Sequence, residues 1–413
     1  MDGSSHLPLR KVAAVGIGNA LEFYDFLTYS FFAIQIGHSF FPEKHGLLSS
    51  LAVFGVGFLT RPLGGLVLGM MGDRVGRRPA MVVSFSLIGA ALLGIALTPS
   101  YARIGIAAPI LLVFFRLLQG FALGGEVGAS TAFLVEAAPP DRRGLYVSLQ
   151  YMTQDFAVLV AGIVGFVLSE VLTPEQLDGW GWRAAFLLGA TVIPVGFWLR
   201  RSLPETLGAP ETVPEKKRIP LGFVLLALLM TMATSTYIFG IDYITTYVQD
   251  SLKMSSGTAF EATVLVGLCA TIGDPISGHL CDRFGRKPVM LAAVAIILLT
   301  VTPIFLAMTR LGGTGVVLLA SATLAFLQSL LAVPALTTIA ETLPKAIRSG
   351  TIGVVYAVST SIFGGSTQMV VKTLIDWTSN PLAPAWYICG IVSVGGIAML
   401  MVRESAPSRT PPG

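Results

Sequence analysis

Long apolar runs, each interrupted by a few polar residues, alternate with short polar turns along the whole chain. A helix crosses a bilayer in about 20 residues, because each residue advances it by about 1.5 Å. On that measure the pattern predicts twelve membrane helices, near residues 12–37, 46–70, 79–98, 109–135, 145–170, 183–202, 220–247, 257–279, 288–308, 314–339, 350–376 and 383–402. The only long stretch rich in Pro, Glu and Lys, 203–219 (LPETLGAPETVPEKKRI), falls between the sixth and seventh and reads as a cytoplasmic linker. The expected architecture is an all-α integral membrane protein of two pseudo-symmetric six-helix bundles, residues 1–202 and 220–413.

Two stretches break the apolar pattern in the same way. GMMGDRVGRRP (Gly69 to Pro79) and GHLCDRFGRKP (Gly278 to Pro288) lie 209 residues apart and share a Gly, a following Asp-Arg, a second Gly, two basic residues and Pro. VEAAPPDRRG (Val135 to Gly144) and AETLPKAIRSG (Ala340 to Gly350) put Arg143 and Arg348 at matching positions. Such recurrence marks an internal duplication, and duplicated hydrophobic bundles are one way to build a device that opens to either side of a membrane. Asp73 stands beside Arg74, Arg77 and Arg78, and Asp282 beside Arg283 and Arg286. An acid at that place can accept hydrogen bonds from a neighbouring helix N-terminus or pair with an Arg, forming a latch that stabilises one conformation. The plainer alternative is a tight turn carrying inner-face positive charge.

Composition narrows the class. With 54% hydrophobic and 12% charged residues, and a mean hydropathy of +0.76, the polar surface is too small to cover a soluble globule. The 45 Gly and 24 Pro fit membrane helices, which tolerate both and pack through small residues. Cys269, Cys281 and Cys389 sit in or beside apolar segments, and with four scattered His they outline neither disulfides nor a metal site, so no cofactor or metal is expected. The net charge of +4 lies in short turns, which argues against nucleic acid as a partner. Arg10, Lys11, Arg142, Arg143, Lys216, Lys217, Arg218, Lys345, Arg348 and Arg403 fall on the same side as both repeated motifs, so the positive-inside rule puts both termini in the cytoplasm. The first segment carries Glu22 and Asp25, unlike the uncharged core of a cleavable signal, and is expected to stay in the membrane. Without a nucleophile–base pair or a nucleotide-binding loop, neither an enzyme nor an ATP-driven pump is expected.

The chemistry then rests on ionisable groups far from the helix ends. Glu22 and Asp25 lie roughly 15–20 Å into the first helix and, three apart, share a face. A carboxylate at such depth is a candidate proton site, or else pairs with an arginine of a neighbouring helix. Arg61 lies roughly 18 Å above Asp73 on the second helix, and Arg116 belongs to RLLQG on the fourth. One arrangement pairs a carboxylate with Arg116 and leaves Arg61 for an anionic substrate, and the reverse is nearly as good. On the fifth helix, Gln150 and Gln154 offer amide donors, and Asp155 is a further cation-coupling candidate, with helix-to-helix hydrogen bonding as the alternative for all three. The second half has fewer charges. Tyr237, Gln328 and Gln368 are candidates to orient a ligand through neutral hydrogen bonds, and Asp274, before Pro275, reads as a brace for the second motif.

These residues resemble the major facilitator superfamily, with the loop motif at both expected places and RLLQG as a second superfamily motif. Within it, GNALEFYDFLTY, GFLTRPLGGLVLG, RLLQGFALGGEVG, GLYVSLQYMTQ and DGWGWRAAFLLG resemble the metabolite:proton symporter family, from Lys11 to Met401. Short loops, a compact C-terminus, PALTTIAETLP and FGGSTQ look most like its bacterial citrate and tricarballylate carriers. The resemblance implies the twelve-helix fold and import of a di- or tricarboxylate with protons by alternating access. It also implies a functional monomer in the lipid of the bacterial inner membrane. The alternatives are sodium coupling, or proton symport of a monocarboxylate or zwitterionic osmolyte. At matching positions, Glu22, Asp25, Arg61 and Arg116 are the family's charged membrane residues, and Gln150 lies in its fifth-helix motif. Two departures stand out. Related citrate carriers resemble a Gln-Gln pair where this chain has Gln154 and Asp155, and DPISG at Asp274 is unlike the family pattern; both suggest a different substrate or an added cation.

Overall fold

The structure, a computed structural model, describes residues 19–20, 23–42, 46–75, 77–124, 126–201 and 221–407, and the side chains there except at 72–74, 77, 78, 80, 81, 126, 192–201 and 346. The expected linker 203–219 and both chain ends lie outside them. All regular secondary structure among the described residues is helical. That is what lipid demands, since a spanning segment must satisfy its own backbone N–H and C=O groups. A helical run over 23–31 leads into α1 (Ala33–Phe40), followed by α2 (Gly46–Leu59), α3 (Arg61–Arg74), α4 (Arg77–Leu97), α5 (Ala107–Ala122), α6 (Glu126–Ala137), α7 (Arg143–Val171) and α8 (Trp182–Arg201). The later segment contains α9 (Leu221–Asp242), α10 (Ser256–Phe284), α11 (Arg286–Arg310), α12 (Thr314–Thr342), α13 (Lys345–Ser359), α14 (Gly365–Thr378) and α15 (Ala383–Met401).

Nine stretches among the described residues are long and apolar enough to cross a membrane: Gly46–Met71, Ala107–Ala137, Pro140–Val171, Leu221–Asp242, Ser256–Phe284, Arg286–Arg310, Thr314–Thr342, Ile347–Thr378 and Ala383–Met401. Each falls on one of the expected spans. The other three expected spans, near 12–37, 79–98 and 183–202, run into residues or side chains outside the description. Large apolar side chains such as Leu299, Leu319 and Leu400 face outward, where lipid is the solvent.

The segment ending at Arg201 meets the segment starting at Leu221 along three seams, and small residues set each approach. Where α7 lies on α10, a Cβ on Gly144 would stand 2.7 Å from the Gly278 carbonyl oxygen, and one on Gly162 would stand 2.9 Å from Val264 N. On the α6–α13 seam, a Cβ on Gly128 would be 2.5 Å from the Ser349 carbonyl oxygen; on the α2–α14 seam, one on Gly55 would be 2.6 Å from that of Gly365. Ser361, in the π-helical turn Thr360–Gly364 that joins α13 to α14, donates across that last seam to the Phe58 carbonyl at 2.7 Å. A wide turn of this kind re-aims the helix beyond it.

Within the earlier segment α5 is equally close to α2 and α3. A Cβ on Gly120 would collide with the Gly57 carbonyl, and one on Gly64 with that of Phe121. Backbone cannot yield as a flexible side chain does, so Gly120→Ala is expected to destabilise the protein by about 1–3 kcal/mol. A lower melting temperature in detergent is the expected reading; an unchanged one would mean that α2 and α5 are farther apart than described.

Candidate functional site

The second repeated motif ends α10 at Gly285, whose φ of 93° suits glycine alone. In the last turn, Asp282 accepts hydrogen bonds from the backbone N–H groups of Gly144 (2.8 Å) and Leu145 (2.9 Å) in the first turn of α7. Arg142, which precedes α7, supplies no side-chain cap. An acid from the other segment therefore takes the cap's place, where negative charge is favoured. The same carboxylate stands 3.0 Å from Arg286 Nη2. Arg286 also forks onto Glu341 of α12, through Nε at 3.1 Å and Nη2 at 3.0 Å, and donates Nη1 to the Cys281 carbonyl at 2.9 Å. Glu404 accepts from the Arg286 and Lys287 backbone N–H groups, both at 3.0 Å, and so caps α11. Arg348 adds a second link between segments, reaching Glu136 at 3.1 Å. Arg283 stands apart, exposed, with its guanidinium 5.2 Å from the Phe284 ring centre. The side chains of Asp73, Arg74, Arg77 and Arg78 are outside the described residues.

Deeper in, Arg116 of α5 is fully buried. Its Nη1 donates to Gln119 Oε1 at 2.6 Å and its Nη2 to the Phe54 carbonyl at 3.1 Å. The guanidinium lies 4.3 Å from the Tyr29 ring centre, 4.5 Å from Phe26 and 5.3 Å from Phe54. Arg61, the first residue of α3, lies 4.4 Å from that same Phe26 ring and 4.3 Å from Phe58. The two cations thus share one aromatic ring, an attraction worth about 0.5–2 kcal/mol per contact. Phe58 and Phe54 in turn touch Phe239 of α9, at 5.1 and 6.0 Å, so this pocket backs onto the seam.

The expected pairing of Arg116 with a carboxylate is not formed by any described residue; its donors go to an amide and a carbonyl instead. Asp25 is buried but turned toward α8, where a Cβ on Gly189 would stand 2.7 Å from its Oδ1. Phe26 and Tyr29, three apart, form the face that meets the arginines. Asp25 is one residue off that face. Glu22 lies outside the described residues.

The candidates on α7 part company. Gln150 donates to Asn19 Oδ1 at 3.1 Å and accepts from Ser130 at 2.8 Å, tying the first helix, α6 and α7 together. The Gln154 amide nitrogen is buried without a hydrogen-bond partner among the described residues. Asp155 crosses the seam: Gln328 Nε2 of α12 donates to both its oxygens, at 3.1 and 3.3 Å. Asp274 of α10 sits beside it, and so is built into the middle of the helix pair and not into the motif loop. Tyr237 spends its hydroxyl on the Leu324 carbonyl at 3.1 Å. Gln368 donates to Ser30 Oγ at 2.6 Å, another link between segments.

Sequence reading missed Asn19, Gln119, Glu136, Glu341 and Glu404. Gln119 was open to it, standing three residues after Arg116 on one helical face. Glu341 and Glu404 are far from Arg286 in sequence, and only the demand of a buried guanidinium for counter-charge pointed to their existence.

Comparison with known proteins bears on this arrangement. The sequence profile of the Major Facilitator Superfamily matches residues 15–367 and 223–413. The chain is 34% identical to the citrate-proton symporter of Klebsiella pneumoniae, over 95% of each chain. It is 33% identical to the alpha-ketoglutarate permease of Escherichia coli over 97% of this chain and 95% of that one. With the ectoine/proline transporter of Corynebacterium glutamicum it shares 31% identity over 94% of this chain and 83% of that one. Among solved structures, a D-xylose-proton symporter superposes with a TM-score of 0.79, covering 98% of this chain and 100% of the other at 18% identity, a likeness of fold alone.

Replacing Asp282 with Ala removes the acceptor of two helix N-terminal donors, which costs about 1 kcal/mol, or roughly fivefold in population. Spin labels at the exposed positions Arg142 and Arg283 are expected to report a larger long-distance population in Asp282→Ala. An unchanged distance distribution would show that the cap does not hold α7 to α10.

Proposed function

The chain belongs to the major facilitator superfamily of membrane transporters, and on that premise we propose that it is a proton-coupled symporter of a small carboxylate-bearing solute, working by alternating access. It is a transporter and not an enzyme. In this reading twelve helices form bundles over residues 1–202 and 220–413, joined by the 203–219 linker. The protein works as a monomer in a bacterial inner membrane, with both termini cytoplasmic. Nine apolar stretches on nine of the expected spans and the basic residues gathered on one side support it.

The observation that carries the substrate reading is the buried Arg116, neutralised by no described carboxylate, with Arg61 against the same ring at the seam. A buried guanidinium is costly unless an anion completes it, and its fork fits a carboxylate. Two guanidiniums suit a solute with more than one carboxylate, such as citrate or tricarballylate, with Gln154 as a neutral donor. Similarity to a citrate-proton symporter and to an alpha-ketoglutarate permease supports this. Inward movement of an anion opposes an inside-negative potential by about 2.3 kcal/mol per charge per 100 mV. Protons taken up by Asp25, Glu22 or Asp155 offset that penalty. Asp282, with Asp73 by symmetry, latches one conformation.

A second reading is symport of a monocarboxylate or a zwitterionic osmolyte, with one arginine kept for structure. It is supported by likeness to an ectoine/proline transporter and by the buried acids Asp155, Asp242 and Asp274, which suit the cationic end of a zwitterion.

Uptake of radiolabelled citrate into proteoliposomes, with pH gradient, sodium gradient and potential imposed separately, distinguishes these. Accumulation driven by the proton gradient and competed by tricarboxylates is expected. Competition by proline or ectoine alone favours the second reading, and a requirement for sodium at fixed pH moves the coupling to sodium. Arg116→Lys keeps the charge but loses the fork and is expected to weaken citrate binding by about 2 kcal/mol, roughly thirtyfold; undiminished competition by citrate would remove Arg116 from the substrate site.

A further inference from the structure

Asp155 and Asp274 lie far apart in the sequence, and the fold puts them together. Asp155 is in the middle of α7 at 4% exposure and Asp274 in the middle of α10 at 1% exposure, on opposite sides of the seam. Gln328, which holds Asp155, is followed by Ser329, whose Oγ lies 2.9 Å from where a Cβ on Gly273 would stand, so the two carboxyls come to the same place on the seam and interact there. Gln328 Nε2 is divided between the two Asp155 oxygens. Neither oxygen of Asp274 accepts a hydrogen bond from a described residue. Ser329 is close, but its hydroxyl is donated to the Ala270 carbonyl at 3.2 Å, and Pro275, the next residue, has no N–H to give. The Oε1 of Gln328, on a side chain 2% exposed and held against Asp155, likewise has no donor. Around the pair stand Tyr151 on α7 and Asp242 at the end of α9, with Tyr356 of α13 next to Tyr151 and Arg61 beyond it.

An ionised carboxylate only accepts. Two of them side by side, buried and with one amide donor between them, leave Asp274 without a hydrogen-bond donor among the described residues and add like-charge repulsion in a medium that screens it poorly. One proton resolves both defects. It turns one carboxyl into a donor, gives the other an acceptor's partner, and leaves a single negative charge facing Gln328 Nε2.

We propose that Asp155 and Asp274 form a single proton-binding site that bridges the seam, holding α7 to α10 while the shared proton is bound and releasing them once both carboxylates are ionised. Only an O–H bond is made and broken, with the proton entering and leaving as such. The closed arrangement is therefore favoured at low pH and lost as pH rises. The site lies about 16 Å along α7 from the Asp282 cap, on the same two helices, so proton occupancy and the cap act on one contact. Its role in transport rests on the symport reading above; its existence does not.

Infrared difference spectra of the purified full-length protein between acid and alkaline pH test the site without a substrate. The wild type should show the C=O band of a protonated buried carboxyl that disappears on alkalinisation, and Asp155→Asn and Asp274→Asn should each abolish that one band. Size-exclusion elution identifies folded variants, and Asp155→Glu is expected to restore the band at a shifted midpoint. A band that survives in both Asn variants, or no such band in the wild type, overturns the proposal. In vesicles, each Asn variant should lower proton-gradient-driven citrate accumulation at least tenfold; undiminished accumulation in either overturns the coupling role. Loss of the band in both variants, with no citrate movement by the wild type, would sink the carboxylate reading and leave the site standing.

Discussion

Asp282 closes α10 and, from the opposite segment, accepts the first backbone donors of α7. A helix N-terminus exposes unpaired N–H groups and carries partial positive charge, so an acid there is both a hydrogen-bond partner and a counter-charge. Arg286 holds that acid in place and is itself held by Glu341. The reach of this contact comes from what it joins. α7 and α10 run against each other through glycines at Gly144, Gly162, Gly267 and Gly278, and a change at one end of such a closely packed pair is carried along both helices. Asp155 and Asp274 both sit on that pair, and Gln328 reaches it from α12.

A low-dielectric interior makes each buried charge ask for a partner. The two segments answer differently. In the earlier one, Arg116 is surrounded by aromatic rings and neutral acceptors, an environment that softens its charge with no described carboxylate to cancel it. At the seam, carboxylates are gathered around one amide donor. In the proposed cycle an anion completes the first environment and a proton the second. A carrier that accepts both can close its seam over a nearly neutral load, whereas either alone leaves charge in the dry interior. This is why the proposed substrate site and the proposed proton site belong to one cycle.

Much of this was legible in the sequence, because lipid forces long apolar helices and because the duplicated motif marks equivalent turns. Helix rise alone was enough to expect Asp25 and Arg61 far from the ends of their helices. What was not legible is which face each residue takes and who answers it from another helix. Asp25 reads as a companion of Arg116 by depth, yet one residue of rotation turns it to α8. Asp274 reads as part of the neighbouring motif loop because it precedes Asp282 by only eight residues; two turns of helix carry it to the level of Asp155. Glu341, though inside the repeated AETLPKAIRSG stretch, and Glu404 gain their meaning only from Arg286. Spacing along one helix is fixed by the backbone, while pairing between helices depends on packing that no single segment encodes.

In the proposed cycle solute and proton cross together. This is tested most directly by enclosing a pH-sensitive dye in proteoliposomes, clamping the potential, and adding citrate outside with no sodium present. Citrate is expected to acidify the vesicle interior, and the acidification to be absent from protein-free vesicles. Citrate entry with no movement of protons, or entry only when sodium is supplied, would contradict it.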